Sequence, residues 1–376
     1  MPAIRSIRWR PFRLALRSNA AAAHGSTPSR DGLVIVMEDD EGRTGLGEAS
    51  PLTSYAGGTV AECADAIPLT AGALLGHGLQ EAWLEPLSLP GSLSDGARAA
   101  LACGLETATA DLLAQHSARP LFAWLDHCVV SPPRIPVNGL VDMPAAADAA
   151  REAGRLAAAG FRTLKLKVGF GATRDLERIE AVRRAIGPLV ALRIDANGAW
   201  DEEEAAEVLT LAALHRVRLA EQPIPPSAGP AAMARLRACG VPLAADESCR
   251  TVRDFETLWA AGAMDAIVVK PMVSGLREAI ALLAAAKAAD IPAIVTTTFD
   301  SGIGVTLAAH LAATLPEPRP ACGLATHDRL AHDIVDGVPP VNRGEITLGD
   351  SPGLGLWLNV HDLGRAATGE WSEAAR

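Results

Sequence analysis

The chain has 376 residues, a net charge of −10, 49% hydrophobic residues and 21% charged residues, the balance of a globular protein with ample core. It has no basic block or aromatic-interleaved basic stripe, which makes nucleic acid a poor candidate partner, and no run near ~18 uninterrupted apolar residues, so no membrane span is expected. The 6 cysteines are scattered without a Cys-x-x-Cys, which suits reduced thiols and a cytoplasmic location rather than a disulfide framework or a zinc site.

Residues 3–17 and 33–49 read as β-strands, with a turn at 39–42. Residues 1–13 carry arginines but no apolar core, so they suit a strand better than a signal peptide. The intervening 18–30 is rich in Ala, Gly and Ser without periodicity, the pattern of a flexible loop or a closing lid. Helices are expected at about 59–76 and 95–117. A Pro-rich stretch follows, and a domain boundary falls near residue 132.

Beyond it, short apolar runs at 135–141, 163–168, 190–194, 216–221, 241–245, 266–269, 293–298 and 323–326 alternate with alanine-rich helices such as 201–215 and 275–289. Strands about 22 to 28 residues apart imply βα units and a parallel sheet, and eight of them in roughly 190 residues argue for a closed α/β barrel. The tail after 327 carries Gly/Pro turns and a strand-like 354–360, and is expected to pack back on the N-terminal region.

The second of these strands reads Thr-Leu-Lys-Leu-Lys-Val-Gly over 163–169. Lys165 and Lys167 lie two apart, so both ammonium groups point to one face. The chain has only two other lysines, Lys270 and Lys287, and builds its remaining cationic surface from arginine. Lysines placed on buried strands are expected to have values lowered by burial and mutual repulsion, which would let them act as bases.

In parallel barrels the chemistry collects at the C-terminal ends of the strands. Here strand 3 ends with Arg193-Ile-Asp195-Ala-Asn197, strand 4 with Glu221-Gln-Pro, strand 5 with Asp246-Glu247-Ser and strand 6 with Lys270. Asp195, Glu221 and Asp246 are roughly 25 residues apart, one βα unit per step. Three such carboxylates would repel one another unless a cation sat among them, and oxygen-only donors suit Mg²⁺ or Mn²⁺. Glu247 reads as a capping group or a neighbour of the ligands rather than a ligand.

This constellation resembles the enolase superfamily, specifically its muconate-lactonising-enzyme-like subgroup, over nearly the whole chain. The resemblance implies a modified (β/α)7β TIM barrel at 132–326, with an α+β capping domain formed by 1–131 and completed by the tail 327–376. It implies that Asp195, Glu221 and Asp246 bind Mg²⁺, that Lys165, Lys167 and Lys270 are catalytic, and that Arg193, Asn197 and Glu247 support them. The partner would be a small-molecule carboxylate, which loses its α-proton to form an enediolate stabilised by the metal.

Two further stretches are similar to o-succinylbenzoate synthases. They are Gly45-Leu-Gly-Glu-Ala-Ser-Pro-Leu52 followed by Tyr55, with Thr-Ser in place of the usual Pro-Gly, and Thr296-Thr-Thr-Phe-Asp-Ser-Gly302 followed by Ala321-Cys-Gly-Leu-Ala325. The implied reaction is syn dehydration of a cyclohexadiene carboxylate in menaquinone synthesis, a lyase reaction, with Thr298, Ser301 and Gly323 at the substrate. N-acylamino acid racemases and dipeptide epimerases use the same lysines on opposite faces. Epimerases of the subgroup usually carry an Asp-x-Asp after the eighth strand, where this chain reads Ala325-Thr-His-Asp328. A muconate cycloisomerase and a non-catalytic binding barrel are weaker alternatives. Oligomeric state is not encoded in these patterns.

Overall fold

The computed structural model describes residues 2–22, 25–129 and 131–376, with side chains for all of these except 18–22 and 25–27. An antiparallel sheet ordered β16-β1-β2-β3 opens the chain, formed by β1 (Ile4–Ala22), β2 (Gly25–Asp39), β3 (Thr44–Ala49) and, from the far end of the sequence, β16 (Ser372–Ala375). The tail does return to the N-terminal region, pairing Ser6 with Ala375 and Trp9 with Ser372.

The segment 18–30, expected to be a loop, is instead the end of the β1–β2 hairpin. Ladder pairing resumes at Ala20↔Thr27 after an irregularity at Ala15, so the polar, low-propensity sequence is carried by its partner strand. Residues 23 and 24, and with them any lid at the tip, lie outside the described residues.

The helix Asp95–His116 covers β3 at very close range. A Cβ on Gly45 would lie 2.1 Å from the Ala108 carbonyl oxygen, and one on Gly47 would lie 1.9 Å from that of Gly104. Only glycine allows this approach.

The second layer system is a curled parallel sheet ordered β11-β10-β9-β8-β7-β6-β5. Its strands are β5 (Gly139–Val141), β6 (Thr163–Lys167), β7 (Ala191–Asp195), β8 (Val217–Glu221), β9 (Leu243–Ala245), β10 (Ala266–Val269) and β11 (Ala293–Val295). On β6, Leu164 and Leu166 are fully buried in the main core while Lys165 and Lys167, which alternate with them, point into the barrel. Leu219, Ala244, Ala266, Val268 and Ile294 form a separate small cluster on four of these strands, a plug that fills the barrel beneath its mouth.

The eighth strand expected at 323–326 is reduced to single bridges, Val137↔Cys322 and Thr296↔Gly323, which close the ring between β5 and β11. Pro320 lacks an N–H, and the chain turns into a short 3₁₀ helix at His327–Arg329, so no longer ladder can form. The expected strand 135–141 splits as well. Its first part, β4 (Arg134–Pro136), pairs antiparallel with β14 (Glu345–Thr347) of the tail, which in turn pairs β13 (Val341–Asn342). The strand-like 354–360 yields only β15 (Trp357–Leu358), paired with β12 (Val335–Asp336), and a helix at Val360–Ala366.

Glu48, at the end of β3, joins the two parts. Its carboxylate accepts hydrogen bonds from the backbone N–H groups of Ser301 (3.1 Å) and Gly304 (3.0 Å) and from the hydroxyls of Ser301 and Ser50 (2.6 Å each). It therefore caps the barrel helix Gly302–Ala313 from across the interface.

Candidate active site

Sheet register brings the predicted residues into one layer. Lys167 pairs with Asp195 and Asp195 with Glu221 on adjacent parallel strands, so their side chains emerge on one face at the C-terminal ends. Lys165 Nζ donates to Glu221 Oε1 (2.6 Å) and lies 2.9 Å from Asp195 Oδ2; Lys167 Nζ donates to Asp195 Oδ2 (2.6 Å) and Asn197 Oδ1 (2.5 Å). Across the mouth, Lys270 Nζ donates to Asp246 Oδ2 at 2.5 Å. All six side chains are nearly sealed from solvent.

The pairing reverses one expectation. Burial by itself would push the lysines down, yet Asp195, Glu221 and Asp246 outweigh it and hold Lys165 above the ordinary lysine value. Lys270 is raised likewise, with Asp246 foremost against burial. The lysines are not isolated cations repelling each other, because a carboxylate stands beside each. Asp195 is drawn well below its ordinary value by Lys165 and Lys167 in spite of burial, whereas burial and Asp195 push Glu221 up to about 8.

Among the described residues, no three His, Cys, Asp or Glu side chains are arranged to hold a metal ion as they stand, since lysine ammonium groups sit between the carboxylates. The chemistry of the set nevertheless fits a hard divalent cation: oxygen donors only, on three consecutive strand ends, and buried. Glu221 keeps its charge poorly in this environment. Beside them Glu247, pushed up to about 7 by burial and Asp246, accepts from Asn197 Nδ2 at 3.0 Å, and its other oxygen has no hydrogen-bond partner among the described residues. Asn197 and Glu247 thus do stand next to the carboxylates. Arg193 sits one layer lower and donates to the Ala321 carbonyl at 2.7 Å, gripping the closing segment rather than the acids.

Of these groups Lys165, Lys167, Asp195, Asn197 and Lys270 face a cavity of about 180 Å³, bounded also by Thr298, Phe299, Gly323, Ala325 and Thr326. Gly323 lines it. Thr298 lines the cavity, but its hydroxyl donates to Asp300 (2.5 Å) and accepts from Arg30 (3.1 Å). Ser301 does not reach the cavity: it is fully buried, donates to Glu48 and accepts the N–H of Ile303 as a helix cap. The acid-Ser pair of that motif serves the interface.

Three residues in or beside the site had no role assigned from the sequence. Arg30 enters from β2, donating to the carbonyls of Ser50 and Pro51 and lying 3.6 Å from Asp300; extending the β2 alternation past residue 33 would have placed it on a strand. Gln222, in a left-handed backbone (φ 37°), accepts the N–H groups of Asp246 (3.0 Å) and Ser248 (3.1 Å) and so fixes the next strand end. Tyr55 donates to Asp246 Oδ1 at 2.6 Å, and its ring lies 4.3 Å from Lys270 Nζ.

A capped barrel with acids on three successive strand ends and lysines on either side defines a class, and comparison with known proteins places the chain in it. Residues 148–362 match the enolase C-terminal domain-like family. A hydrophobic dipeptide epimerase of Enterococcus faecalis is 30% identical over 364 residues, covering 94% of this chain and 99% of that protein. An o-succinylbenzoate synthase of Thermobifida fusca is 36% identical over 57% of this chain and 68% of its own length. The solved dipeptide epimerase of Cytophaga hutchinsonii, complexed with Mg and D-Ala-L-Val, superposes with a TM-score of 0.88 at 26% identity, with 99% of both chains covered. The chain belongs to the enolase superfamily, whose members are enzymes, lyases and racemases or epimerases among them. Among the described residues no helix is long and apolar enough to cross a membrane.

Proposed function

We propose that the chain is an o-succinylbenzoate synthase, dehydrating a cyclohexadiene carboxylate with the help of Mg²⁺. The observation that carries this reading is the rest of the cavity lining. Leu16, Leu52, Leu140, Phe299 and Ala325 give it apolar surface, and its polar groups are the neutral Ser54, Tyr55, Asn138 and threonines of 296–298 and 326, with the Arg30 guanidinium among them. The Thr326 hydroxyl is shared with Thr297 at 2.7 Å. Among the described residues that line the cavity the one carboxylate is Asp195, beside the lysines, so away from it a dipeptide's ammonium group would be desolvated without a counter-charge. An apolar ring with anionic substituents suits it. The full-length resemblance to dipeptide epimerases supports the capped barrel.

Asp195, Glu221 and Asp246 would hold the ion, and Mn²⁺ suits the same donors. Bound, a divalent cation would supply the positive charge the lysines now supply and offset the charge that develops on the substrate carboxylate. Lys167 would take the proton α to that carboxylate. The electron pair left behind forms the ring double bond and expels the hydroxyl, which leaves as water with the proton returned from Lys167 on the same face. Lys270, across the cavity, remains an ammonium and lowers the energy of the developing anion. The apolar wall excludes water, which strengthens each of these interactions.

N-acylamino acid racemisation is the second reading, favoured by Lys167 and Lys270 flanking one cavity and by the neutral amide of such substrates. The test is loss of diene absorbance by purified protein with Mg²⁺, with a chelator and with Lys167→Ala as controls. Mg²⁺-dependent turnover that vanishes in the variant supports the synthase. No turnover, together with α-proton exchange in D₂O on N-acylamino acids or dipeptides, sinks it and moves the chain to the racemase or epimerase branch.

A further inference from the structure

Tyr55 is the only tyrosine in the chain. It sits at the end of the short loop and helix that follow β3 in the cap, and it reaches a strand end of the barrel. The loop is fixed at its start, where Arg30 donates to the Ser50 and Pro51 carbonyls, and at its far end by the Tyr55 hydroxyl on Asp246 Oδ1. The two oxygens of Asp246 are thus divided: Oδ1 belongs to the cap and Oδ2 to Lys270. Asp246 itself is buried, its backbone N–H held by Gln222, so its carboxylate has little freedom beyond the rotation that Tyr55 stops. The Tyr55 ring also closes over the Lys270 ammonium, 4.3 Å away.

We propose that Tyr55 is a positioning residue that sets how Asp246 meets a divalent cation: by occupying Oδ1 it leaves Oδ2, the oxygen now on Lys270, as the one offered to the ion. This rests on reading Asp246 as a cation ligand. The physical basis is that a carboxylate held by one hydrogen bond presents its other oxygen in a fixed direction. Removing such a support ordinarily costs 10–100-fold in metal affinity. The cap therefore contributes to the ion site through one hydroxyl, although none of the predicted ligands belongs to it.

Two measurements on the full-length protein test this without substrate. Mn²⁺ binding is followed by the electron paramagnetic resonance of free Mn²⁺ in wild type and Tyr55→Phe, which keeps the ring over Lys270 and loses only the hydroxyl. The expected result is a Kd at least tenfold weaker in the variant, with an unchanged circular dichroism spectrum and melting curve. Separately, 3-fluorotyrosine incorporation places a single fluorine label at the clasp, and its one ¹⁹F resonance is expected to move as Mg²⁺ is added, along a saturable curve. Equal or tighter Mn²⁺ binding by Tyr55→Phe, or a fluorine resonance that stays put while the ion site fills, overturns the inference. Wild type that binds no Mn²⁺ overturns the ligand assignment as well. Tight Mn²⁺ binding with no diene turnover removes the synthase reading alone and leaves the role of Tyr55 standing.

Discussion

Replacing Glu48 by glutamine should change the pH dependence of stability in a direction the structure dictates. The Glu48 carboxyl is fully buried, and burial first, then Asp300, pushes it up from the ordinary 4.5 to about 7 against the pull of Ser301 and Ser50. Between about pH 4.5 and 7 the folded chain therefore holds a proton that the unfolded chain has released, and stability falls as pH rises through this window. At ~1.4 kcal/mol per pH unit, the upward displacement amounts to about 3 kcal/mol. Other buried acids titrate nearby, Asp111 at about 6 for instance, so the wild-type curve alone is not diagnostic. The difference from Glu48→Gln is, because the amide does not titrate: it keeps one carbonyl oxygen for the N–H of Ser301 or Gly304, which sit on different oxygens of Glu48, and the loss of the other bond is a constant offset rather than a pH-dependent one. Urea denaturation of both proteins at intervals from pH 4.5 to 8 should show the wild type losing about 3 kcal/mol relative to the variant as pH rises. A gap that stays constant, or one in which the wild type gains with pH, would refute the account of Glu48 as a carboxyl driven toward its neutral form.

Three further outcomes follow from the packing and the site. Lys167→Ala should lower kcat by about 10²- to 10⁴-fold with the fold intact by circular dichroism; a variant retaining a tenth of the activity would exclude Lys167 as the base. Gly47→Ala should destabilise the cap by about 3 kcal/mol or more, since the new Cβ would lie 1.9 Å from the Gly104 carbonyl oxygen; an unchanged melting temperature would contradict that close approach. Asp175→Ala should cost about 3–5 kcal/mol in urea denaturation, because the fully buried Arg178 loses its ion pair. The same change frees the N–H groups of Gly169 and Phe170 just beyond Lys167, so kcat should fall too; pairing it with Arg178→Met should restore stability but not kcat.

What the sequence made legible is what repeats. The alternation in 163–169, and one charged residue at each strand end a βα unit apart, pointed to the barrel and to the lysines and carboxylates at its mouth, because register in a parallel sheet converts sequence period into spatial layer. Pairwise chemistry was not legible. The lysines looked mutually repulsive because the acids that hold them, Asp195 and Asp246, are 28 and 24 residues away in sequence. Ser301 looked like a substrate contact because a hydroxyl beside a glycine-opened helix serves as a cap or as a ligand equally well, and only Glu48, from another part of the chain, decides between them. Arg30 was hidden because a low-propensity segment was carried into a strand by its partner.

The pairing of β16 with β1 bears on the order in which this protein is made. A ribosome releases the barrel strands long before residues 372–375, so the outer edge of β1 waits for its partner until those residues have emerged. Closing a loop of this length adds only a slowly growing entropic cost, but it leaves an open strand edge on a growing polypeptide for the whole interval. Residues 372–375 thus act as a seam, sewn after the barrel strands they enclose have been made.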